Sequence, residues 1–274
     1  MQGLLDELED IGFIDAHEWC DGKLKRIRLP IIQEYSFVLK VNGYAFASLA
    51  YSGKDLRALL HGFLASERII RRSSDIVSLD IDLDSQNIDV KLSDNEYVKE
   101  RLKQVGCVLS GYAQGLRLDI DTPSGDVHVS LRPSIIIESM KIFLSSSDVH
   151  RLTGGVHSAA LFSLNGSMIC CFDDVGRHNA IDKVIGHALL GNIELSDKML
   201  FTTGRLSADI VRKAVVSGIP VLVSRASPTI EGIQVAQVSD LVMIARVRTR
   251  SFQIFSGKEH LTSNKGHLTS NMGE

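Results

Sequence analysis

The second half of the chain alternates short apolar segments with helical patterns, and no other feature constrains the fold as strongly. The predicted strands of this region lie at 199–203, 221–224 and 241–245. The predicted helices that separate them lie at 180–190, 207–217 and 230–238. Strands joined by helices favour a largely parallel sheet covered by helices on both faces. Ligands of such sheets usually bind in loops at the strand ends.

The patterns divide the chain into four segments. Residues 1–29 are charged and weakly patterned, and we expect a peripheral leader. Residues 30–132 carry two predicted hairpins and two helices, which is typical of a small α+β domain. Residues 133–256 form the α/β domain, which begins at Pro133 because proline suits the first turn of a helix. Residues 257–274 repeat a polar pentapeptide and are predicted to be a disordered tail.

Composition limits the partners and the compartment. The formal net charge of -3 provides no general basic field, so we expect no nucleic-acid partner. No uncharged apolar stretch approaches the roughly 18 residues of a membrane span, and the acidic N-terminus is unlike a secretory signal. The four cysteines lack the spacing of a disulfide framework. We therefore expect a cytoplasmic protein with free thiols and no membrane association.

Two glycines directly before a predicted strand form the first candidate site. Gly154 and Gly155 lie just before His157, where backbone amides can approach a ligand without obstruction by side chains. A plain turn is the structural alternative. Thr203-Gly204-Arg205 ends the next strand of the alternating region, and Ser207 is a predicted N-cap there. These residues are candidates to complete the same pocket.

The junction between the strand at 168–172 and the following helix is crowded with polar residues. Asn179 is a predicted N-cap, and exposed amides at a helix start attract anions. Arg177 and Lys183 could contact a phosphate. Asp174 or Asp182 could read a base edge or orient an imidazole, and His178 is a further candidate in the same run. The alternative is a salt-bridged helix cap with a solvated face.

Arginines and a cysteine supply two further candidates. If the last strand continues beyond residue 245, Arg246, Arg248 and Arg250 project from one face as a cationic row that suits a pyrophosphate. A charged edge strand is the alternative.

Cys107 lies in a segment bracketed by glycines, which we expect to be a mobile loop. A nucleophilic thiol needs such access to its substrate. A lone loop cysteine is usually unremarkable. No His/Cys spacing indicates a zinc site, so no metal ligands are predicted.

Several long motifs, in order, closely resemble the FdhD family. They are Leu152-Thr-Gly-Gly-Val-His-Ser-Ala-Ala-Leu161, Asp174-Val-Gly-Arg-His-Asn-Ala-Ile-Asp-Lys-Val-Ile-Gly186, Thr203-Gly-Arg205, Ser217-Gly-Ile-Pro-Val-Leu222 and Leu60-His-Gly-Phe-Leu-Ala-Ser-Glu-Arg-Ile-Ile70. The resemblance implies an α/β protein with a three-layer cytidine-deaminase-like C-terminal domain, without the zinc, and a smaller α+β N-terminal domain. It implies a homodimer.

The resemblance also implies a function. Members are sulfur carriers that pass persulfide sulfur from a cysteine desulfurase to the molybdenum cofactor bis(molybdopterin guanine dinucleotide) of a formate dehydrogenase. The client could equally be a related molybdenum or tungsten enzyme, and a guanine nucleotide such as GDP should mimic the bound cofactor. Guanine recognition would fall on the Gly-Gly-Val-His and Arg-His-Asn loops. The cofactor-binding run near the end would match Arg246, Val247, Arg248, Thr249, Arg250 and Ser251.

The family's sulfur-carrying loop matches this chain only in part. The family pattern Cys-Gly-x-Cys-Gly corresponds here to Cys107-Val-Leu-Ser110-Gly111, so the second cysteine is a serine. We expect Cys107 to carry the sulfur alone, as a long-lived persulfide, because Ser110 cannot resolve it into a disulfide. Two other functions remain open. One is a cofactor-binding chaperone without sulfur transfer, and the other is a nucleotide hydrolase or deaminase.

Overall fold

The protein is a mixed α/β molecule with three sheets, seen in a computed structural model that describes residues 10–82, 84–105 and 129–262. The strands are β1 (Ile11–Cys20), β2 (Lys23–Ile32), β3 (Tyr35–Val41), β4 (Tyr44–Tyr51), β5 (Ile76–Asp82), β6 (Asn87–Leu92), β7 (His157–Ser163), β8 (Met168–Asp174), β9 (Lys198–Thr202), β10 (Val221–Ser224), β11 (Val242–Ala245) and β12 (Gln253–Ser256). The helices are α1 (Leu56–Ser66), α2 (Glu96–Val105), α3 (Pro133–Ser146), α4 (Asp148–Thr153), α5 (Arg177–Leu190), α6 (Ala208–Val216) and α7 (Ile230–Val238).

The first lobe is a four-stranded sheet in the order β4-β3-β6-β5, packed against α1. The predicted Asn42-Gly43 hairpin is confirmed, since β3 and β4 pair antiparallel and both turn residues have positive φ (53° and 83°). The predicted second hairpin is confirmed as β5 and β6. The apolar face of α1 closes the core of this lobe, in which Leu59, Leu60 and Leu64 have no exposed surface.

The second lobe is a six-stranded sheet in the order β12-β11-β10-β9-β7-β8. Strands β9, β10 and β11 are parallel to one another, as the alternation predicts, and β7 runs antiparallel to β9. Helices α5, α6 and α7 pack on one face of the sheet. Helix α3 packs on the other face, against Phe162 and Phe201. The sheet therefore lies between two layers of helices, and the predicted helices on both faces are confirmed.

Residues 11–32 do not form the weakly patterned leader that the sequence suggests. They form the antiparallel hairpin of β1 and β2, paired from Ile11 with Ile32 to Cys20 with Lys23. Its turn is Asp21-Gly22, and both residues have positive φ (49° and 79°). Asp-Gly is a strong signal for such turns. The charged residues on both strands hide the alternation that would otherwise reveal this hairpin.

The start of the predicted tail is also ordered. A 3₁₀ helix spans Lys258–His260, and Leu261 forms a parallel bridge with Leu131. Leu131 N–H donates to the His260 carbonyl (2.8 Å), and Thr262 N–H donates to the Leu131 carbonyl (2.9 Å). The chain after β12 is therefore anchored beside α3 up to residue 262. The prediction of disorder is wrong for 257–262, and the rest of the predicted tail lies outside the described residues.

Helices α1 and α5 join the two lobes through a glycine contact. A Cβ atom on Gly62 of α1 would lie 2.6 Å from the carbonyl carbon of Asp182, and one on Gly186 of α5 would lie 2.6 Å from the amide nitrogen of Gly62. Only glycine at both positions allows the backbones to approach this closely. The contact fixes how the first lobe sits on the second lobe, along the middle of α5.

Candidate functional site

The ends of four neighbouring strands meet at one edge of the six-stranded sheet. Because β7 is antiparallel to β9, its first residue, His157, lies beside Thr203, which follows the last residue of β9. Thr203 Oγ1 accepts a hydrogen bond from Ser158 N–H (3.0 Å) and lies 3.4 Å from His157 Nδ1. We call the following cluster at this edge the strand-end site: His157, Arg177, Thr203, Arg205, Arg225, Arg246 and Arg248.

Arg177 opens α5 at this edge and lies over Gly204. A Cβ atom on Gly204 would lie 2.9 Å from Cβ of Arg177, so only glycine leaves room for the arginine. The Nε atom of Arg177 is buried without a hydrogen-bond partner. The N-cap residue, Gly176, offers no side chain to cap the helix, so the first amides of α5 are not capped from within. A cation and a helix N-terminus therefore coincide, which favours an anion.

The loops after β10 and β11 bring three more arginines to the edge. Arg248 Nη1 donates to the Arg225 carbonyl (2.8 Å), and Arg246 Nε donates to Ser227 Oγ (3.0 Å). Strand β11 ends at Ala245, and Arg246 has a positive φ of 54°. The strand does not continue, so the predicted cationic row on one face does not form. A turn replaces it, closed by Arg248 N–H donating to the Ser251 carbonyl (2.7 Å).

The residues of the predicted run 246–251 differ in exposure. Val247 is buried against the core beneath α3. The other five positions are exposed and face solvent; they are Arg246, Arg248, Thr249, Arg250 and Ser251. Arg225 belongs to the same edge but is not among the residues predicted from the sequence. Its position directly after β10, an apolar strand of the alternating region, is the signal that could have identified it.

The two histidines near the edge are held neutral. Burial, followed by the charges of Arg177, His150 and Arg205, lowers the pKa of His157. Burial, followed by the charges of Lys213, Arg177 and His157, lowers the pKa of His178 to about 3. Both imidazoles are therefore uncharged at neutral pH, and the cations around them produce a positive local potential that suits an anionic ligand.

Gly154 and Gly155 lie beside the start of β7. Gly154 ends α4 in the left-handed conformation (φ 62°), and its N–H donates to the His150 carbonyl (2.9 Å). Both glycines are exposed. A Cβ atom on Gly155 would lie 2.9 Å from Cγ2 of Ile32, so the base of the β1–β2 hairpin covers one side of this turn.

Asp174, Asn179 and Lys183 face the first lobe rather than the solvent. Lys183 Nζ pairs with Asp174 Oδ2 (2.9 Å) and donates to the Ser52 carbonyl (2.6 Å). Asn179 Nδ2 donates to the Ala50 carbonyl (2.6 Å) and to Asp174 Oδ1 (2.9 Å). Asn179 is not the N-cap that the sequence predicts, because α5 begins two residues earlier, at Arg177. Asp174 Oδ1 also accepts from Gly176 N–H (2.9 Å), so this network shapes the turn that presents Arg177.

Asp182 forms a second buried network between the lobes. Lys213 Nζ donates to both of its carboxylate oxygens (2.8 and 2.9 Å), and Ser66 Oγ donates to Oδ1 (2.8 Å). Burial raises the pKa of Asp182 to about 6, against the opposing charge of Lys213. Burial lowers the pKa of Lys213, but the charges of Asp182 and Glu67 outweigh it and raise the pKa overall. Both groups are therefore charged at pH 7, and this carboxylate is used within the fold.

The two cysteines of β8 are not suited to nucleophilic chemistry. Cys170 packs on one face of the sheet and Cys171 on the other, as the alternation predicts. Burial raises the pKa of Cys170 to about 12 and that of Cys171 to about 11. Cys20 is exposed on the hairpin. Cys107 and Ser110 lie outside the described residues.

The described part of the chain offers neither a metal site nor a membrane-spanning helix. Within residues 10–82, 84–105 and 129–262, no group of three or more His, Cys, Asp or Glu side chains could hold a metal ion. None of the helices in those ranges has the length and apolar character needed to cross a membrane.

Comparisons with known proteins agree with one another. The model of the FdhD/NarQ family matches residues 32–262. The sulfur carrier protein FdhD of Wolinella succinogenes is 37% identical over 82% of this chain and 80% of its own length. The corresponding protein of Bacillus licheniformis is 31% identical over 88% of this chain and 93% of its own length.

A crystal structure from Desulfotalea psychrophila is described as that of a proposed formate dehydrogenase accessory protein. It superposes with a TM-score of 0.73 at 24% identity, and the match covers 92% of this chain and 99% of that chain. It supports the fold alone. With the motifs in order and the family model spanning both lobes, this chain belongs to the FdhD/NarQ family.

Proposed function

We propose that this protein is a sulfurtransferase that acts through a persulfide on Cys107. A cysteine desulfurase supplies the sulfur, and the acceptor is the bis(molybdopterin guanine dinucleotide) cofactor of a formate dehydrogenase or of a related molybdenum or tungsten enzyme. The names of the relatives support this, since they are sulfur carriers. We further propose that the second lobe is the cytidine-deaminase-like domain that the motifs imply, and that the protein works in the cytoplasm, where thiols stay reduced.

The strand-end site is the observation that carries the proposal. A guanine dinucleotide brings pyrophosphate groups, and arginines bind phosphate oxygens through charge-assisted hydrogen bonds. Arg177 has a buried Nε atom without a partner beside an uncapped helix N-terminus, which fits a phosphate. The exposed arginines of the edge would hold the remaining charge; they are Arg205, Arg225, Arg246 and Arg248. When bound, the cofactor supplies the metal centre that accepts the sulfur.

The sulfur step needs one thiolate and no added oxidant. The Cys107 thiolate attacks the outer sulfur of the desulfurase persulfide, the donor S–S bond breaks, and the donor cysteine leaves as a thiolate. The product is a Cys107 persulfide. Because position 110 is serine, no neighbouring loop thiol can attack this persulfide and release the sulfur as sulfide. We therefore expect the persulfide to persist until the acceptor is bound.

Cys107→Ala is expected to abolish sulfur loading. Wild-type protein incubated with desulfurase and cysteine should gain a mass of one sulfur atom that a reductant removes, and mass spectrometry of the intact protein measures this gain. Cys20→Ala is the matched control, because Cys20 is exposed but lies on the hairpin, and it should load as the wild type does. Full loading of the Cys107→Ala variant would contradict the proposal.

Ser110 favours a second candidate function, which is delivery of the cofactor without sulfur transfer. A loop with only one of the two cysteines could belong to a protein that binds the cofactor and protects it. The two functions differ in one outcome, which is the activity of a formate dehydrogenase matured in cells. Equal activity with wild type and with Cys107→Ala would select the cofactor-delivery function.

We also propose that the protein is a homodimer held in part by the β1–β2 hairpin. One face of this hairpin presents Ile14, Leu29 and Ile31, whose exposed fractions are 56%, 41% and 44%. An isolated two-stranded hairpin is marginally stable in water, so an apolar face of this kind needs a partner. A second copy placed face to face, with β1 over β2, would set Glu18 of one copy against Lys25 of the other, because both residues lie on the same face as Ile14.

Ile14→Lys is expected to convert the dimer into a monomer, because it places a charge in the centre of that apolar face. Light scattering after size-exclusion chromatography measures the mass. Leu24→Lys is the control, since Leu24 is more exposed than Ile14 (67% against 56%) but pairs with Trp19 on the opposite face of the hairpin. Dissociation by both substitutions, or by neither, would argue against this interface.

A further inference from the structure

The connection between β8 and α5 sets the position of Arg177, because it is very short. Strand β8 ends at Asp174 and α5 begins at Arg177, so only Val175 and Gly176 lie between them. The Arg177 side chain and the first amides of α5 are the groups that face an anion at this edge. A change in the backbone of either connecting residue therefore moves these groups.

The two amides of this connection are both held by hydrogen bonds. Gly176 N–H donates to Asp174 Oδ1 (2.9 Å). Val175 N–H donates to Ser52 Oγ (3.0 Å), and Ser52 belongs to the first lobe, 123 residues earlier in the chain. A short connection with both amides bonded has little freedom to rearrange, so the start of α5 is preorganised before a ligand binds.

Ser52 follows β4 and is almost fully buried, with 1% of its surface exposed. Its N–H donates to Asp174 Oδ2 (3.3 Å), and its carbonyl accepts from Lys183 Nζ (2.6 Å). Two residues earlier, the Ala50 carbonyl accepts from Asn179 Nδ2 (2.6 Å). In this set of bonds the first lobe contributes backbone atoms except at Ser52 Oγ. The hydroxyl is therefore the part of the contact that a substitution can remove.

Arg177 is also constrained on its other side. It packs directly against Gly204, where a Cβ atom would lie 2.9 Å from Arg177 Cβ and 3.2 Å from its Cδ. The Nε atom of Arg177 is buried without a hydrogen-bond partner. A guanidinium held in this way loses little freedom when it binds a phosphate, which favours affinity. Movement of the turn before α5 would disturb the alignment on which its charge-assisted hydrogen bonds depend.

We propose that Ser52 is a positioning residue of the strand-end site. It acts from the first lobe, through the Val175 amide, to hold Arg177 and the start of α5 in the arrangement that binds the phosphates of a nucleoside diphosphate. The inference rests on the proposed function, because it assumes that the strand-end site binds the pyrophosphate of a guanine dinucleotide. The first lobe then contributes to phosphate affinity through its contact with the second lobe, and a bound phosphate strengthens that contact in turn.

Ser52→Ala tests the proposal, with Ser66→Ala as the matched control. Ser66 is also a buried serine of the first lobe, and its Oγ donates to Asp182 of α5 (2.8 Å), away from the connection. Isothermal titration calorimetry of the full-length protein measures the binding of GDP and of inorganic pyrophosphate. Ser52→Ala should weaken the binding of both ligands about tenfold, the upper end of what one hydrogen bond contributes. Ser66→Ala should bind both as the wild type does, although it too loses a buried hydrogen bond.

A double-mutant cycle with Arg177→Ala distinguishes positioning from a general loss of stability. If Ser52 acts through Arg177, adding Ser52→Ala to Arg177→Ala should weaken binding by less than about threefold, since the main group that it positions is already gone. The other arginines of the edge keep the binding measurable. Thermal melting curves show whether each variant is folded at the temperature of the titration. If Ser52→Ala is not, Ser52→Cys keeps the shape of the side chain with a weaker acceptor, and it should weaken binding in the same direction.

The outcomes separate this proposal from the proposed function. If the wild type binds GDP and the Ser52 variants bind it equally well, Ser52 does not position the site. The positioning role is also wrong if Ser66→Ala weakens binding as much, or if the effects of the Ser52 and Arg177 substitutions are fully additive in free energy. If the wild type binds neither GDP nor pyrophosphate, the strand-end site is not a phosphate site, and the proposed function fails first.

Discussion

Replacing Lys183 by methionine is expected to lower the free energy of unfolding by about 3–5 kcal/mol, which is the typical effect of breaking a buried ion pair on one side. Neither Lys183 nor Asp174 has any exposed surface. Methionine preserves much of the side-chain volume but leaves the Asp174 carboxylate without its cation. It also removes donors from the carbonyl oxygens of Ser52 and Asp173, which lie 2.6 and 2.9 Å from Nζ. Denaturant unfolding measures the change.

Two comparisons make the Lys183 prediction specific. Lys99→Met breaks an exposed pair with Asp94 (3.0 Å), and it should change the stability by less than about 1 kcal/mol. Asp174→Asn combined with Lys183→Met removes both charges and should recover part of the loss. A decrease of less than about 1 kcal/mol for Lys183→Met would show that the buried contacts of Lys183 with Asp174 and the Ser52 carbonyl contribute little to stability.

Gly186→Ala is expected to destabilise the protein by about 3 kcal/mol, because overpacking a tight contact typically costs about 1–3 kcal/mol and here the obstacle is backbone. The new Cβ would lie 2.6 Å from the amide nitrogen of Gly62 and 2.8 Å from the carbonyl carbon of Ala58. Backbone atoms cannot rotate away as a side chain can, so α1 and α5 would have to separate. The contact between the lobes would be lost with them.

The control for Gly186 lies at the end of the same helix. A Cβ on Gly191 would lie 3.3 Å from its nearest neighbours, the His187 carbonyl oxygen and an Ile193 side-chain carbon that can shift, and its φ of -86° suits alanine. Gly191→Ala should therefore change the stability much less. Thermal melting of both variants measures the difference. If the melting temperature falls equally in both variants, or does not fall in Gly186→Ala, the two helices can separate without a significant energetic cost.

The elements were largely predictable because each has a local signal. Apolar spacing predicts α1, and Asn42-Gly43 fixes the β3–β4 hairpin. The alternation predicts the parallel strands and the helices between them. The β1–β2 hairpin was missed although Asp21-Gly22 is an equally local signal, since charged residues interrupt its strands. A dipeptide that favours a turn is therefore more informative here than the polarity of the residues around it.

The candidate site was only partly predictable because burial depends on partners far along the chain. The polar run after β8 suggests a ligand site, but its carboxylates and lysine lie in networks with the first lobe. Asp174 binds Ser52, 122 residues away, and Asp182 binds Ser66, 116 residues away. Nothing within this polar run distinguishes the buried carboxylates and lysine from Arg177, whose side chain does reach the strand-end site. Strand β11 likewise ends at Ala245 because a turn follows it. That turn contains no glycine or proline, so the sequence does not mark where the strand ends.

Transfer of labelled sulfur tests most directly whether Cys107 gives its sulfur to a cofactor held at the strand-end site, as we propose. Protein loaded with ³⁵S at Cys107 is mixed with the isolated molybdenum cofactor, and the label on each is counted after separation. Wild type should move its label to the cofactor, whereas Arg177→Glu should load normally and retain its label, because it lacks the cation that holds the pyrophosphate. Undiminished transfer by Arg177→Glu, or a wild type that keeps its label, would contradict the account.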